Sequence, residues 1–114
     1  VLAGCAVVPA PADSIALRTE TCTASVFDEG VRLADGSRWS PARSVRETLV
    51  AHKTAPLGSI VRITRLDTGA SILAPVRDRG PFIRGRCVDL SVAAARFLGI
   101  DGVARVRVDQ MPVK

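Results

Sequence analysis

The sequence predicts a small, mainly β domain of five or six short strands and one helix, closed into a barrel. Short runs of β-branched residues alternate in polarity and end at Gly, Pro and Asp turn signals, which is the pattern of half-buried strands. A helix with a cap at each end sits late in the chain, between Ser91 and Gly99. The length of 114 residues, with 47% hydrophobic residues but only three Phe, one Trp and no Tyr, suits one core made mainly of Val, Leu, Ile and Ala. Strands this short, without protected edges of their own, avoid open edges by closing.

Thr19 to Phe27 reads as the first strand, ended by Asp28-Glu29-Gly30. Residues 31–48 are irregular, with a turn at Ala34-Asp35-Gly36-Ser37 and a break at Ser40-Pro41, and Arg43 to Val50 suits either a short helix or a strand. Ser59 to Leu66 is a half-buried strand, and Asp67-Thr68-Gly69 turns it toward a partner at Ser71 to Val76. Pro75 lacks an N–H, so that partner is expected at an edge or a bulge. A loop opens at Asp78, Arg86 to Leu90 forms the next strand, and Ser91 caps a helix that turns Val92, Ala95, Phe97 and Leu98 toward the core. Val103 to Val108 is the last strand.

The formal net charge of +5 points to an anionic partner, and nucleic acid, acidic lipid and carboxylate-bearing cell wall all qualify. Basic residues are not interleaved with aromatics, so nucleic acid is not expected. No run approaches the roughly 20 apolar residues of a membrane span. Leu2-Ala3-Gly4-Cys5 matches a bacterial lipobox, followed by the tether Val8-Pro9-Ala10-Pro11-Ala12. Residues 1–18 are therefore read as a lipobox remnant and flexible tether, and residues 19–114 as the domain. The expected protein is exported and periplasmic, an outer-membrane lipoprotein and a monomer, touching a membrane only through a lipid on Cys5. With Cys5 lipidated, Cys22 and Cys87 remain as an even pair, either a disulfide or two buried thiols. One His and three scattered Cys give no zinc spacing, and there is no calcium loop or phosphate-binding glycine loop, so neither metal nor cofactor is expected.

Several blocks then agree in order and spacing: Ala51-His52, Pro56-Leu57-Gly58, Val76-Arg77-Asp78-Arg79-Gly80-Pro81-Phe82, Gly85-Arg86, Asp89-Leu90-Ser91, Ala93-Ala94-Ala95 and Leu98-Gly99. In these the chain resembles the rare lipoprotein A (RlpA-like) family from about Thr23 to Val108. The resemblance implies a six-stranded double-psi β-barrel with one or two short helices, similar in plan to expansins and to lytic transglycosylase barrels. It also implies action on peptidoglycan glycan strands, cleaving the β-1,4 link between N-acetylmuramic acid and N-acetylglucosamine to give a 1,6-anhydro sugar.

That chemistry needs fewer groups than ordinary glycoside hydrolysis, which uses two carboxyl groups. The nucleophile is the sugar's own 6-hydroxyl, so one carboxyl group can donate a proton to the leaving oxygen and later accept one. Asp89 is the first candidate, on a strand between Val88 and Leu90 and facing away from both; by resemblance it is the carboxylate of expansin-like barrels. Asp78, eleven residues upstream, is the second. Either also has a plain structural reading, Asp78 as a turn residue and Asp89 as part of a helix entry. His52, the only histidine, is by resemblance near the cleft, with a positioning role. Ser25, Ser37, Glu47 and Arg79 are candidates for substrate binding, with Trp39 and Phe82 as aromatic surfaces for sugar stacking.

Two departures from the family matter. Where relatives carry a glutamate after Gly, this chain has Ser37 after Gly36, and the interval to His52 is longer. The first strand reads Ala24-Ser25-Val26-Phe27, without the family's usual aromatic pair. The alternative function is therefore a non-catalytic wall-binding or wall-loosening module.

Overall fold

Thr19, Thr21 and Thr23 alternate with Glu20, Cys22 and Ala24, and the chain extends there. In a computed structural model, which describes residues 17–27 and 33–112, strand β1 spans Arg18–Val26 and turns Cys22 and Ala24 into the interior. The segment that suited either helix or strand contains both. Helix α1 covers Pro41–Arg46, and the short strand β2 covers Val50–His52. Ser40-Pro41, read from sequence as a break, starts α1: Ser40 caps it by accepting from the Arg43 N–H at 3.1 Å, and proline suits a first helical position. Strands β3 (Ile60–Arg65), β4 (Ser71–Asp78) and β5 (Arg86–Leu90) follow, then helix α2 (Val92–Leu98) and strand β6 (Ala104–Gln110).

The strands close in the order β1-β5-β2-β4-β3-β6. β1–β5 and β2–β4 are parallel pairs, and the other pairs are antiparallel. This closed mixed barrel with two short helices among the described residues agrees with the double-psi barrel that the resemblance implies. Ala24, Val50, Val61, Ile63, Ala74, Val76, Val88, Leu90, Val106 and Val108 fill its centre without solvent exposure. Ala94, Ala95 and Leu98 of α2 join that core. Phe97 does not, and is 72% exposed, because positions 94, 95 and 98 define the inner face of a seven-residue helix and 97 falls on the other side.

Pro75 lies in a strand paired on both sides rather than at an edge, facing outward just ahead of the register irregularity between β2 and β4. Val76 donates its N–H to Ser59 on the β3 side, so the nitrogen of Pro75 faces the opposite way, where pairing with β2 begins only at Val76. The missing donor thus falls where no ladder bond is needed.

Two staples close the barrel wall. Cys22 and Cys87 form a disulfide between β1 and β5, with Cα atoms 5.8 Å apart. On the outer surface, the buried Asp109 of β6 accepts from Thr19 of β1 at 2.8 Å and from Arg62 of β3 at 2.9 and 3.0 Å, with Arg107 at 3.3 Å. Burial alone would push the Asp109 carboxyl up. The hydrogen bonds from Thr19 and Arg62 and the charges of Arg107 and Arg62 outweigh it and hold the carboxyl below its ordinary value. A folded value below the unfolded one means that the stabilisation is present above about pH 4 and is lost as pH falls through the depressed value. Asp109→Asn is therefore expected to lower the unfolding free energy by about 3 kcal/mol at neutral pH. Urea denaturation at several pH values checks this, and the gap between variant and parent should narrow below about pH 4.

Candidate active site

Two one-residue irregularities decide which side chains share the outer face of the barrel. Between β1 and β5 the register runs Thr23↔Arg86 and then Ala24↔Val88, so Cys87 is an extra residue and Ser25 lies opposite Asp89. Between β2 and β4 it runs Val50↔Val76 and then Ala51↔Asp78, so Arg77 is extra. Bulges of this kind re-aim side chains beside functional sites. Here each one brings a carboxylate to the same small floor residue, because Ala51 is the partner of Asp89 on one side and of Asp78 on the other.

The Ser25 hydroxyl donates to Oδ1 of Asp89, and Oδ2 of Asp89 has no hydrogen bond among the described residues. Oδ1 of Asp78 accepts from the backbone N–H of Ala34 at 2.8 Å. With β2 between them, the two aspartates stand two strand spacings apart, about 10 Å between Cα atoms.

The turn beside Asp78 is itself anchored. Asp35 donates its N–H to the Arg77 carbonyl at 3.2 Å, and its carboxylate accepts from the Ser37 N–H and hydroxyl at 2.8 and 2.5 Å. The Ser37 hydrogen bonds, with help from the charges of Arg43 and Arg77 and against a small cost of burial, hold the Asp35 carboxyl below its ordinary value. Arg43 reaches Ser37 at 2.8 Å and Glu47 at 3.0 Å. Ser37 and Glu47, expected as substrate contacts, are thus linked through Arg43 into the support of this turn.

Other expected residues lie elsewhere. His52 is buried and registered with Val88, so it faces away from Ala51 and Asp89. Its Nδ1 accepts from the N–H groups of Thr54 and Ala55 at 3.2 and 3.0 Å, which leaves Nε2–H to donate to Glu20 at 3.0 Å. Arg79 donates to the carbonyls of His52 and Ala55 at 3.1 and 2.5 Å. His52 and Arg79 therefore shape the turn after β2. Trp39 does not offer a stacking face: it is 4% exposed and packs on Phe27 at 4.8 Å between ring centroids, with Leu33 and Leu49. Phe82, in contrast, is 80% exposed after Asp78-Arg79-Gly80-Pro81. Gly80 has φ +117°, and a Cβ there would meet the Phe82 ring at 3.3 Å, so glycine is needed for this loop shape.

The sequence reading missed the Ala34 amide, the floor residue Ala51 and the acid Glu20. Alternation marks Glu20 only as a strand residue, and its pairing with His52 spans 32 positions of chain. Glu20, Cys22 and Cys87 place three ligand atoms within 4.8 Å, but both sulfurs are already joined to each other. Cys5, the expected lipidation site, lies outside the described residues.

Comparison with known proteins places this geometry among relatives. The sequence profile of the lytic transglycolase family matches residues 19–109. The endolytic peptidoglycan transglycosylase RlpA of Neisseria meningitidis is 36% identical over 106 residues, covering 89% of this chain and 43% of that protein. That of Pseudomonas aeruginosa is 56% identical over 61 residues, covering 52% of this chain and 18% of that protein. The chain thus spans less than half of either relative. Among solved structures, a Streptomyces papain inhibitor superposes with a TM-score of 0.64 at 23% identity, over 85% of this chain and 97% of the inhibitor. The expansin of Clavibacter michiganensis gives 0.62 at 19% identity, over 85% of this chain and 52% of the expansin.

Proposed function

We propose that this chain, which belongs to the lytic transglycolase family of RlpA-like double-psi β-barrels, cleaves peptidoglycan glycan strands by lytic transglycosylation. The observation that carries the proposal is Asp89: one carboxyl oxygen is held by Ser25, the other has no hydrogen bond among the described residues, and Asp78 stands across Ala51 on the same face. Asp89 in its acid form donates a proton to the glycosidic oxygen, and the C1–O bond breaks with the electron pair going to that oxygen. The 6-hydroxyl of the same muramic acid then attacks C1 and returns its proton to Asp89. No water is consumed, and the product carries a 1,6-anhydro ring. Asp78, steadied by the Ala34 amide, is placed to bind the sugar or to stabilise positive charge developing on its ring. Exposed Phe82 supplies an apolar surface for a sugar face.

The test is incubation with purified glycan strands, with and without stem peptides, and mass spectrometry of the products. Anhydro-muropeptides or anhydro-sugars are expected. Their absence where an authentic lytic transglycosylase produces them would reject the enzymatic reading.

A wall-binding module is the second reading, favoured by Ser37 standing where relatives carry glutamate, with its hydroxyl engaged by Asp35 and Arg43. Retention on insoluble sacculi without product formation would favour it. Either reading requires an exported protein. A periplasmic monomer held at the outer membrane by a lipid on Cys5 belongs to this proposal and rests on Leu2-Ala3-Gly4-Cys5.

A further inference from the structure

Thr23 of β1 is the Cα partner of Arg86 on β5 and of Arg105 on β6. Its neighbours Cys22 and Ala24 are buried, so Thr23 faces outward, and Nη1 of Arg105 lies 3.4 Å from its hydroxyl. Arg86 precedes the inward Cys87 and shares that outer face. Neither guanidinium has an ion pair among the described residues. Asp109, on the same side of β6, is already held by Arg62, Arg107 and Thr19. Two arginines with no ion pair among the described residues are therefore registered on either side of Thr23, and one of them, Arg105, reaches its hydroxyl. Ser25 and Asp89 lie on the same face, and Ser25 is two residues further along β1, about 7 Å away.

We infer that Arg86 and Arg105, with the Thr23 hydroxyl between them, form a subsite for a carboxylate carried by the glycan, the lactyl group on O3 of muramic acid. This rests on the proposed function and names the feature of the substrate that the site reads. Arms from two strands about 10 Å apart can converge on one carboxylate, and charge-assisted hydrogen bonds from guanidinium groups suit its planar, two-oxygen geometry. A carboxylate on O3 of the ring whose C1–O bond is cut lies within about one sugar length of Asp89, the offset that the strand register provides. Chitin-like chains, which lack the lactyl group, would leave the subsite empty.

The experiment compares peptide-free glycan strands with the same strands after their lactyl carboxyls are reduced to alcohols. The native protein is expected to favour the carboxylate strands by about tenfold or more in kcat/KM, mostly through KM, with the preference shrinking at high salt. The double variant R86Q/R105Q should cut both strands equally, and R86K/R105K should recover part of the preference. Equal kcat/KM of the native protein on the two strands overturns the inference while leaving the transglycosylase reading intact. If neither strand is cut, calorimetric binding of the same two strands to the native protein and to R86Q/R105Q decides the question: an advantage for the carboxylate strands confined to the native protein supports the subsite, and equal binding or none overturns it.

Discussion

Asp89→Asn is expected to reduce release of anhydro products by about a thousandfold, within the range for loss of a general acid–base group. Asparagine has nearly the same shape and can accept the Ser25 hydrogen bond through its carbonyl, so the geometry at the β1–β5 contact survives while the transferable proton is lost. Ser25→Ala removes only the orienting bond, and a loss of about tenfold is expected from it. The pair of results separates proton transfer from positioning. An Asp89→Asn protein that keeps most of its activity, with an unchanged unfolding midpoint, would move the catalytic role away from Asp89, and Asp78 would be tested next.

The second large effect concerns stability. The Cys22–Cys87 disulfide encloses 65 residues of chain separation, and in the chain-entropy account a loop of that size destabilises the unfolded state by about 4 kcal/mol. A Cys22→Ala/Cys87→Ala variant is therefore expected to lose most of that amount in urea denaturation, and the native protein treated with a thiol reductant should lose a similar amount. The effect on catalysis should be coupled to it. β1 and β5 carry Ser25 and Asp89 as well as the two sulfurs, so loosening this pair loosens the contact that orients Asp89. A stability loss below about 1 kcal/mol would mean that the unfolded chain is already restrained by other means.

The parts of this molecule governed by local rules were readable in the sequence. Alternation located most of the strands, and Ser91 and Gly99 marked both ends of α2, because caps depend on residues within one helical turn. Asp78 and Asp89 were singled out through resemblance, and both are register partners of Ala51 in the barrel wall. What alternation did not provide was the relation between those aspartates. It depends on Cys87 and Arg77 being skipped in two parallel pairings, and a skipped residue leaves no mark in a pattern of period two. Trp39 looked like a stacking surface because it is the lone indole. It is buried because Phe27, Leu33 and Leu49, six to twelve positions away along an irregular stretch without a readable period, pack around it. His52 was expected near the cleft by resemblance; it is next to Ala51 in sequence but faces the opposite side of the wall.

The strand order has a consequence for how the molecule comes into being. β1 pairs only with β5 and β6, so the first strand finds its partners only in the last third of the chain. Such long-range pairing makes for slow assembly with little stable structure in shorter pieces. An early stop before Ala104 would expose β1 and β3 together as two open edges, inviting pairing between chains. Closure of the barrel thus rests on its last seven-residue strand, which joins β1 to β3.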